Sequence, residues 1–173
     1  MPHFQRISLV HYHELGLKGH NRSTFERHLM RNLSSLLEDA PVEKVTRISG
    51  RVLVMYQASA DASEIAEAAD LIARVPGVAR VSCGFVCDRE LDQMYAAADA
   101  ALSEAGAFDT WKVIARRNHT DFEIDSMEMN QLVGAYLCER YPDKKVKMKH
   151  PDVEVHVEVV QGHSYIYAQS IPG

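Results

Sequence analysis

Two glycines, a lysine, an asparagine and an arginine cluster near the start of the chain, in the run His13-Glu-Leu-Gly-Leu-Lys-Gly-His-Asn-Arg22. Gly16 and Gly19 let the backbone turn tightly, and Lys18 and Arg22 bring positive charge to the place where a helix is expected to begin. Free N–H groups and the dipole at such a helix start favour a phosphate, and Asn21 adds a hydrogen-bonding side chain. Spacing alone leaves two outcomes open, a phosphate cradle or a glycine-containing connection with two solvated bases. A second stretch, Trp111-Lys-Val-Ile-Ala-Arg-Arg-Asn-His119, sets Lys112, Ile114 and Arg116 on one face of a strand and presents Arg117, Asn118 and His119 at its end. In a third, Lys144-Lys-Val-Lys-Met-Lys149, alternation puts Lys145, Lys147 and Lys149 on one side. A lysine row of that kind either protects a sheet edge or tracks phosphates.

Histidine is abundant, with nine copies. His11 and His13 stand at i,i+2 on one strand with His20 close behind. Such a trio could ligate zinc or copper, but a titratable pair beside a phosphate site suits this setting better. His156, between Glu154 and Glu158 on a polar strand face, is expected to be solvated. The sequence has no G-x-x-x-x-G-K-[ST] loop, no G-x-G-x-x-G fingerprint, no G-x-S-x-G elbow and no C-x-x-C pair. The residues alone describe a binding module with no catalytic constellation and no metal site.

Charge is segregated along the 173 residues. Residues 1–51 carry eight Lys and Arg against five acids, residues 52–109 three against ten, and residues 110–173 eight against nine. An acidic middle between basic segments suggests a positive face with an acidic back, as a polyanion partner would require. Apolar residues make up 46% and charged residues 25%, as in an ordinary globular protein. No apolar run approaches the roughly 18 residues of a membrane span, and no signal-like segment opens the chain. The expectation is a cytoplasmic protein without membrane contact. Three cysteines, Cys83, Cys87 and Cys138, are too few for a disulfide framework or a closed zinc site and read as free thiols.

Hydrophobic spacing supplies the elements that must position these groups. Residues 6–12 read as a strand. A helix follows with Phe25, Leu29, Leu33 and Leu36 on one stripe, and Ser23 with Glu26 fits a capping box at its start. Strands at 45–48 and 51–57 are joined through Ser49 and Gly50. A second helix opens at Asp61 with Glu64, and 78–86 returns as a strand. That is β-α-β-β-α-β, the ferredoxin-like order. Beyond it come a helix around 91–105, a strand at 110–116, a helix opened by Asp125 with Glu128 and closed by Pro142, and strands at 153–159 and 164–169.

These residues resemble a known family. Glu14, Leu17, Lys18, Gly19, Asn21 and Arg22, with Phe25 and Leu29 behind them, are similar to the opening of the tRNA 4-thiouridine synthases, also called thiamine-biosynthesis sulfurtransferases. Lys112-Val-Ile-Ala-Arg-Arg117, Gly134-Ala-Tyr136, the 146–155 run with Met148, Lys149, Pro151 and Asp152, and Tyr165-Ile-Tyr167 resemble the THUMP domain of tRNA-modifying enzymes. The resemblance covers essentially the entire chain. It implies an α+β protein, with a ferredoxin-like βαββαβ domain over residues 1–76 packed on an α/β THUMP domain over residues 77–173; the strand at 78–86 could belong to either.

The resemblance further implies a tRNA-binding front end that grips the acceptor arm and the 3′ CCA end. Uridine 8 would then be thiolated by a downstream ATP pyrophosphatase domain whose Ser-Gly-Gly-x-Asp-Ser loop this sequence lacks. No cofactor is expected in the chain itself; ATP and Mg belong to that further domain. A cysteine desulfurase or other persulfide donor is the implied sulfur source, and a homodimer is compatible with the family. The implied RNA contacts are Lys18, Asn21, Arg22, Lys112, Arg116, Arg117, His119, Lys147 and Lys149. His11, His13 and His20 stand where the family more often has Arg, Gly and Lys, which implies RNA binding that strengthens as the pH falls through about 6.5. Two competing readings of the residues are an acylphosphatase-like enzyme using Asn21 and Arg22, and a regulatory ferredoxin-like domain that binds a small ligand.

Overall fold

Alternation and helical stripes generate two separate cores. The computed structural model describes residues 4–13, 20–48, 50–118 and 121–173. It divides into one unit of residues 5–83 with 170–173 and another of residues 1–4 with 84–169.

In the first unit, β1 (Gln5–Tyr12) is followed by α1 (His20–Leu36), β2 (Val42–Ile48), β3 (Arg51–Tyr56), α2 (Ala62–Ala73) and the opening of β4 (Val78–Cys87). The strand order β2-β3-β1-β4, with β1 and β2 both antiparallel to β3, is the ferredoxin-like arrangement. Val10 and Tyr12 of β1 join Val52, Val54 and Tyr56 of β3 under Leu29, Leu33, Leu37, Ile65, Ala69 and Ile72 from the helix side. The α1 stripe therefore continues at four-residue steps to Leu37, and Leu36, assigned to the stripe from sequence, is exposed. The α2 start is a complete capping box: the Glu64 N–H donates to Asp61 Oδ1 at 2.8 Å and the Asp61 N–H to Glu64 Oε1 at 3.1 Å. The box expected at Ser23 does not form. Helix α1 already begins at His20, so Ser23 lies inside it and Glu26 reaches a tertiary partner instead of its own backbone.

The second unit holds the rest of β4, then α3 (Leu91–Ser103), β5 (Thr110–Arg117), α4 (Ser126–Arg140), β6 (Lys145–Val146), β7 (Val153–Val160) and most of β8 (His163–Pro172). Its order is β4-β8-β7-β5-β6. β5 runs parallel to β7 from Trp111 opposite Val153 to Arg117 opposite Val159, and parallel to β6; β7 and β8 form an antiparallel hairpin. Val153, Val155, Val157 and Val159 face Met94, Leu102, Met129, Val133 and Leu137 of the helices, around Trp111. Asp125 caps α4 by accepting the Glu128 N–H at 2.9 Å. Gly84 of β4 has no room for a side chain, because a Cβ there would lie 2.6 Å from Cβ of Tyr167.

Candidate nucleic-acid interface

In the first unit the basic groups are organised by a buried carboxylate. Glu26, one helical turn after Arg22 on α1, is 6% exposed. Its Oε2 accepts the Tyr12 hydroxyl at 2.6 Å, while its Oε1 lies 3.6 Å from Arg22 Nε and 3.8 Å from Arg47 Nη1. Tyr12 itself is fixed from below. Its ring is 5.6 Å from that of Phe25, and Phe25 fills the space over Gly77, where a Cβ would sit 2.6 Å from Cζ. Burial first, and then the bond to Glu26, push the Tyr12 hydroxyl above its ordinary pKa, so it stays a donor. Asn21 is exposed on the first turn of α1. His11 lies on the sheet face opposite Tyr12, with its ring nitrogens 3.4 and 3.5 Å from Arg80 Nη2. Lys18 lies outside the described residues.

In the second unit the expected row of lysines is not a strand. β6 pairs with β5 over Lys145 and Val146 only; the Lys147 N–H still bonds the Trp111 carbonyl at 3.0 Å. The chain then bends through residues 148–150, with His150 at φ 52°. Pro151 behind His150 and the carboxylate of Asp152 account for the bend. Asp152 Oδ2 accepts the N–H groups of Asp109 at 2.9 Å and Thr110 at 3.2 Å, while the Asp152 N–H donates to Thr110 Oγ1 at 2.9 Å. The backbone bonds from Asp109 and then Thr110 hold the Asp152 carboxyl below the usual carboxylate range. Lys145 and Val146 of β6 are exposed, as are Lys147, Met148 and Lys149 beyond them.

Of the β5 residues, Arg116 is exposed and stands opposite Glu158 of β7. Lys112 and Arg117 are tied to their own chain. Lys112 Nζ donates to the Met148 carbonyl at 3.1 Å and sits 3.4 Å from Glu154 Oε2. Arg117 Nη1 donates to the Phe122 carbonyl at 2.9 Å, and its N–H to Ser126 Oγ at 2.8 Å. Arg89 steadies the same loop with two 2.9 Å bonds to Asp121. His119 lies outside the described residues. His156 is not the solvated group expected from sequence: its ring stacks on Tyr167, with centroids 4.8 Å apart and planes at 4°, and Glu154 Oε1 is 3.6 Å from its Nε2. The Tyr167 hydroxyl in turn donates to Glu158, which is 3% exposed. Among the described residues no group of three His, Cys, Asp or Glu is gathered as for a metal ion.

Sequence reasoning passed over Arg47 and Arg80. Arg47 could have been found: it opposes Val52, whose side chain is in the helix-side core, and Arg22 and Glu26 have the i,i+4 spacing of a helical ion pair. Assigning Glu26 to a cap hid that pair.

The two folded units define the class: a ferredoxin-like sheet followed by a THUMP domain. Residues 7–82 match the family model of the ThiI ferredoxin-like domain, and residues 88–169 that of the THUMP domain. A probable tRNA sulfurtransferase of Natranaerobius thermophilus is 33% identical over 95% of the chain, which covers 41% of that relative. Among solved structures, PH1313 from Pyrococcus horikoshii Ot3 superposes with a TM-score of 0.82 at 29% identity, over 97% of the chain and 55% of its own. A 4-thiouridine synthetase, solved in complex with RNA and bound ATP, superposes with a TM-score of 0.85 at 26% identity, over 97% of the chain and 42% of its own. The chain thus pairs a ThiI-type ferredoxin-like domain with a THUMP domain, and spans about two fifths of the length of the curated relatives it matches.

Proposed function

We propose that this chain is the tRNA-binding part of a tRNA 4-thiouridine synthase. Its ferredoxin-like and THUMP units hold the acceptor arm and the 3′ CCA end, so that uridine 8 is thiolated by an ATP pyrophosphatase domain beyond these residues. The THUMP match over residues 88–169 carries this reading. The exposed basic groups support it: Arg22 on α1, Arg116 on β5, and Lys147 and Lys149 on the bend, with the neutral amide of Asn21 exposed beside Arg22. Such contacts supply affinity and a steep salt dependence with little sequence choice; selectivity comes from the A-form stem and an unpaired 3′ end. Lys18 and His119 belong to the same proposed set. Lys112 and Arg117 contribute charge while also shaping the segments that carry Lys147 and Asn118.

ATP and Mg would serve the pyrophosphatase domain, and no residue described here is assigned to them. A cysteine desulfurase or other persulfide donor, and pairing of two copies so that one holds RNA for the other, complete the proposal. A cytoplasmic setting suits these partners, and among the described residues no helix is long and apolar enough to cross a membrane. Titration of the chain with whole tRNA, tRNA lacking CCA, and duplex DNA across a salt series tests the reading. Whole tRNA should bind tightest and loss of CCA should weaken it; equal binding of all three would overturn the reading.

A further inference from the structure

At the β6 edge of the THUMP unit, apolar side chains stand in water among lysines. Over residues 145–149 lysine alternates with an apolar residue, and Val146 is 49% and Met148 68% exposed. Among the described residues no carboxylate forms an ion pair with Lys145, Lys147 or Lys149. Asp152, a few residues on, has its Oδ2 taken by the N–H groups of Asp109 and Thr110.

The backbone that carries Met148 is held on both sides. The Lys147 N–H donates to the Trp111 carbonyl at 3.0 Å, Lys112 Nζ donates to the Met148 carbonyl at 3.1 Å, and the Asp152 N–H donates to Thr110 Oγ1 at 2.9 Å. Between them His150 sits at φ 52°, in the left-handed region that a residue other than glycine seldom enters and far from the extended backbone that a following proline favours. Met148 is thus displayed by a fixed and locally strained segment, and strain of this kind clusters where a surface has work to do. An exposed methionine gives the fold none of the stabilisation its burial would.

An apolar side chain ringed by unpaired cations suits a polyanion whose own apolar faces lie close to its charges. Duplex RNA does not offer that, because its bases are stacked inside and it shows mainly phosphates, sugars and base edges. An unpaired strand does, since each base is one sugar away from a phosphate and can lie flat against a neighbour. We propose that Met148, with Val146 widening the apolar surface, takes an unpaired base of the tRNA 3′ end. The surrounding lysines attract phosphate from any RNA; Met148 supplies the preference for an unpaired one. Its thioether is flexible and polarisable, so the contact accepts any base and selects for strandedness, not sequence. This rests on the tRNA-binding reading above and adds to it the residue that tells a single strand from a duplex.

The test is binding by the whole chain and its variants to a hairpin RNA with a short unpaired 3′ overhang, and to the same hairpin cut blunt, over a salt series with melting curves as folding control. The wild type should prefer the overhang. Met148→Ser should weaken binding to the overhanging RNA about five- to tenfold, the worth of burying part of a methionine side chain. It should leave the blunt hairpin unchanged and keep the salt slope, because no charge is lost. Met148→Leu should bind like wild type, whereas Lys147→Ala should weaken both RNAs alike and lower the slope by about one. Unchanged binding of the overhanging RNA by Met148→Ser, or an equal loss on both hairpins, with the wild type still preferring the overhang, would overturn the role of Met148 and leave the tRNA-binding reading standing. Wild-type binding to anionic phospholipid vesicles that Met148→Ser abolishes, with RNA binding unmoved, would overturn it in favour of a membrane surface. A wild-type chain that binds neither RNA would overturn the tRNA-binding reading itself, and one that binds both equally would overturn the proposal together with the CCA part of that reading.

Discussion

The ammonium group of Lys112 donates to the main-chain carbonyl of Met148 at 3.1 Å, so a base in the middle of β5 pins the bend that displays Lys147 and Lys149. The other anchors of the bend lie at its two ends, the Lys147 N–H bond to Trp111 and the Asp152 bonds to Asp109 and Thr110, while its own side chains are exposed. Lys112→Met keeps the aliphatic stem and removes the donor. We expect it to weaken tRNA binding more than removal of a single phosphate contact does, with faster amide exchange at residues 147–150. Exchange unchanged from wild type would show that the bend does not depend on this bond.

Charge reversal at Arg116 or Lys147 addresses affinity directly. Both side chains are exposed; Lys147→Glu should leave folding unaffected, whereas Arg116→Glu sets a second carboxylate opposite Glu158 and needs a melting curve beside it. Arg116→Glu or Lys147→Glu should weaken binding to every RNA tested by a similar factor and flatten the salt dependence by about one unit per lost contact. A change confined to one RNA sequence would instead point to base recognition.

Acid stability should depend on Asp152. Its carboxyl titrates below the ordinary value because it accepts backbone N–H groups in the folded chain. A depressed folded pKa gives stabilisation that is fully present above the unfolded value of about 3.9 and is lost as the pH falls through the folded value. Asp152→Asn should therefore melt below wild type at pH 7, with the gap closing as the pH drops below about 4. Thermal melts from pH 7 to pH 2.5 read this out, and a gap constant across that range would contradict it.

Gly84→Ala tests the packing of β4 against β8. The added methyl would press on the Ile166 carbonyl and on Tyr167, both part of the β8 main-chain path and unable to swing aside. We expect a destabilisation of about 1–3 kcal/mol, the range for overpacking a tight site, measured by urea unfolding with an unchanged m-value.

The order of elements was legible because the apolar residues alternate along most of β7, run unbroken from Val52 to Tyr56 in β3, and keep a period near four along α1 and α2. Asp61 with Glu64 and Asp125 with Glu128 marked two helix starts correctly because both acids are exposed and have only their own helix to bond. The same pattern misled at Ser23 and Glu26, where a buried tyrosine outbids the local backbone. The lysine row misled for a related reason. Alternation of side chains marks a strand only while a neighbour supplies hydrogen bonds, and at the sheet edge Asp152 and Pro151 turn the chain away after Val146. His156 was misplaced because its solvent-side neighbour is an aromatic ring from the next strand, and that register is not visible in either strand alone.

The chain leaves the ferredoxin-like unit within β4 and comes back to it at the end of β8. Ile171 packs on that unit's core, and the Gly173 N–H bonds the Ala79 carbonyl at 2.9 Å. A ribosome must therefore translate through residue 173 before the first unit acquires the segment that flanks β4. The earlier-made half waits, part-finished, while the later half is synthesised, and no single cut in the polypeptide would release either as a whole.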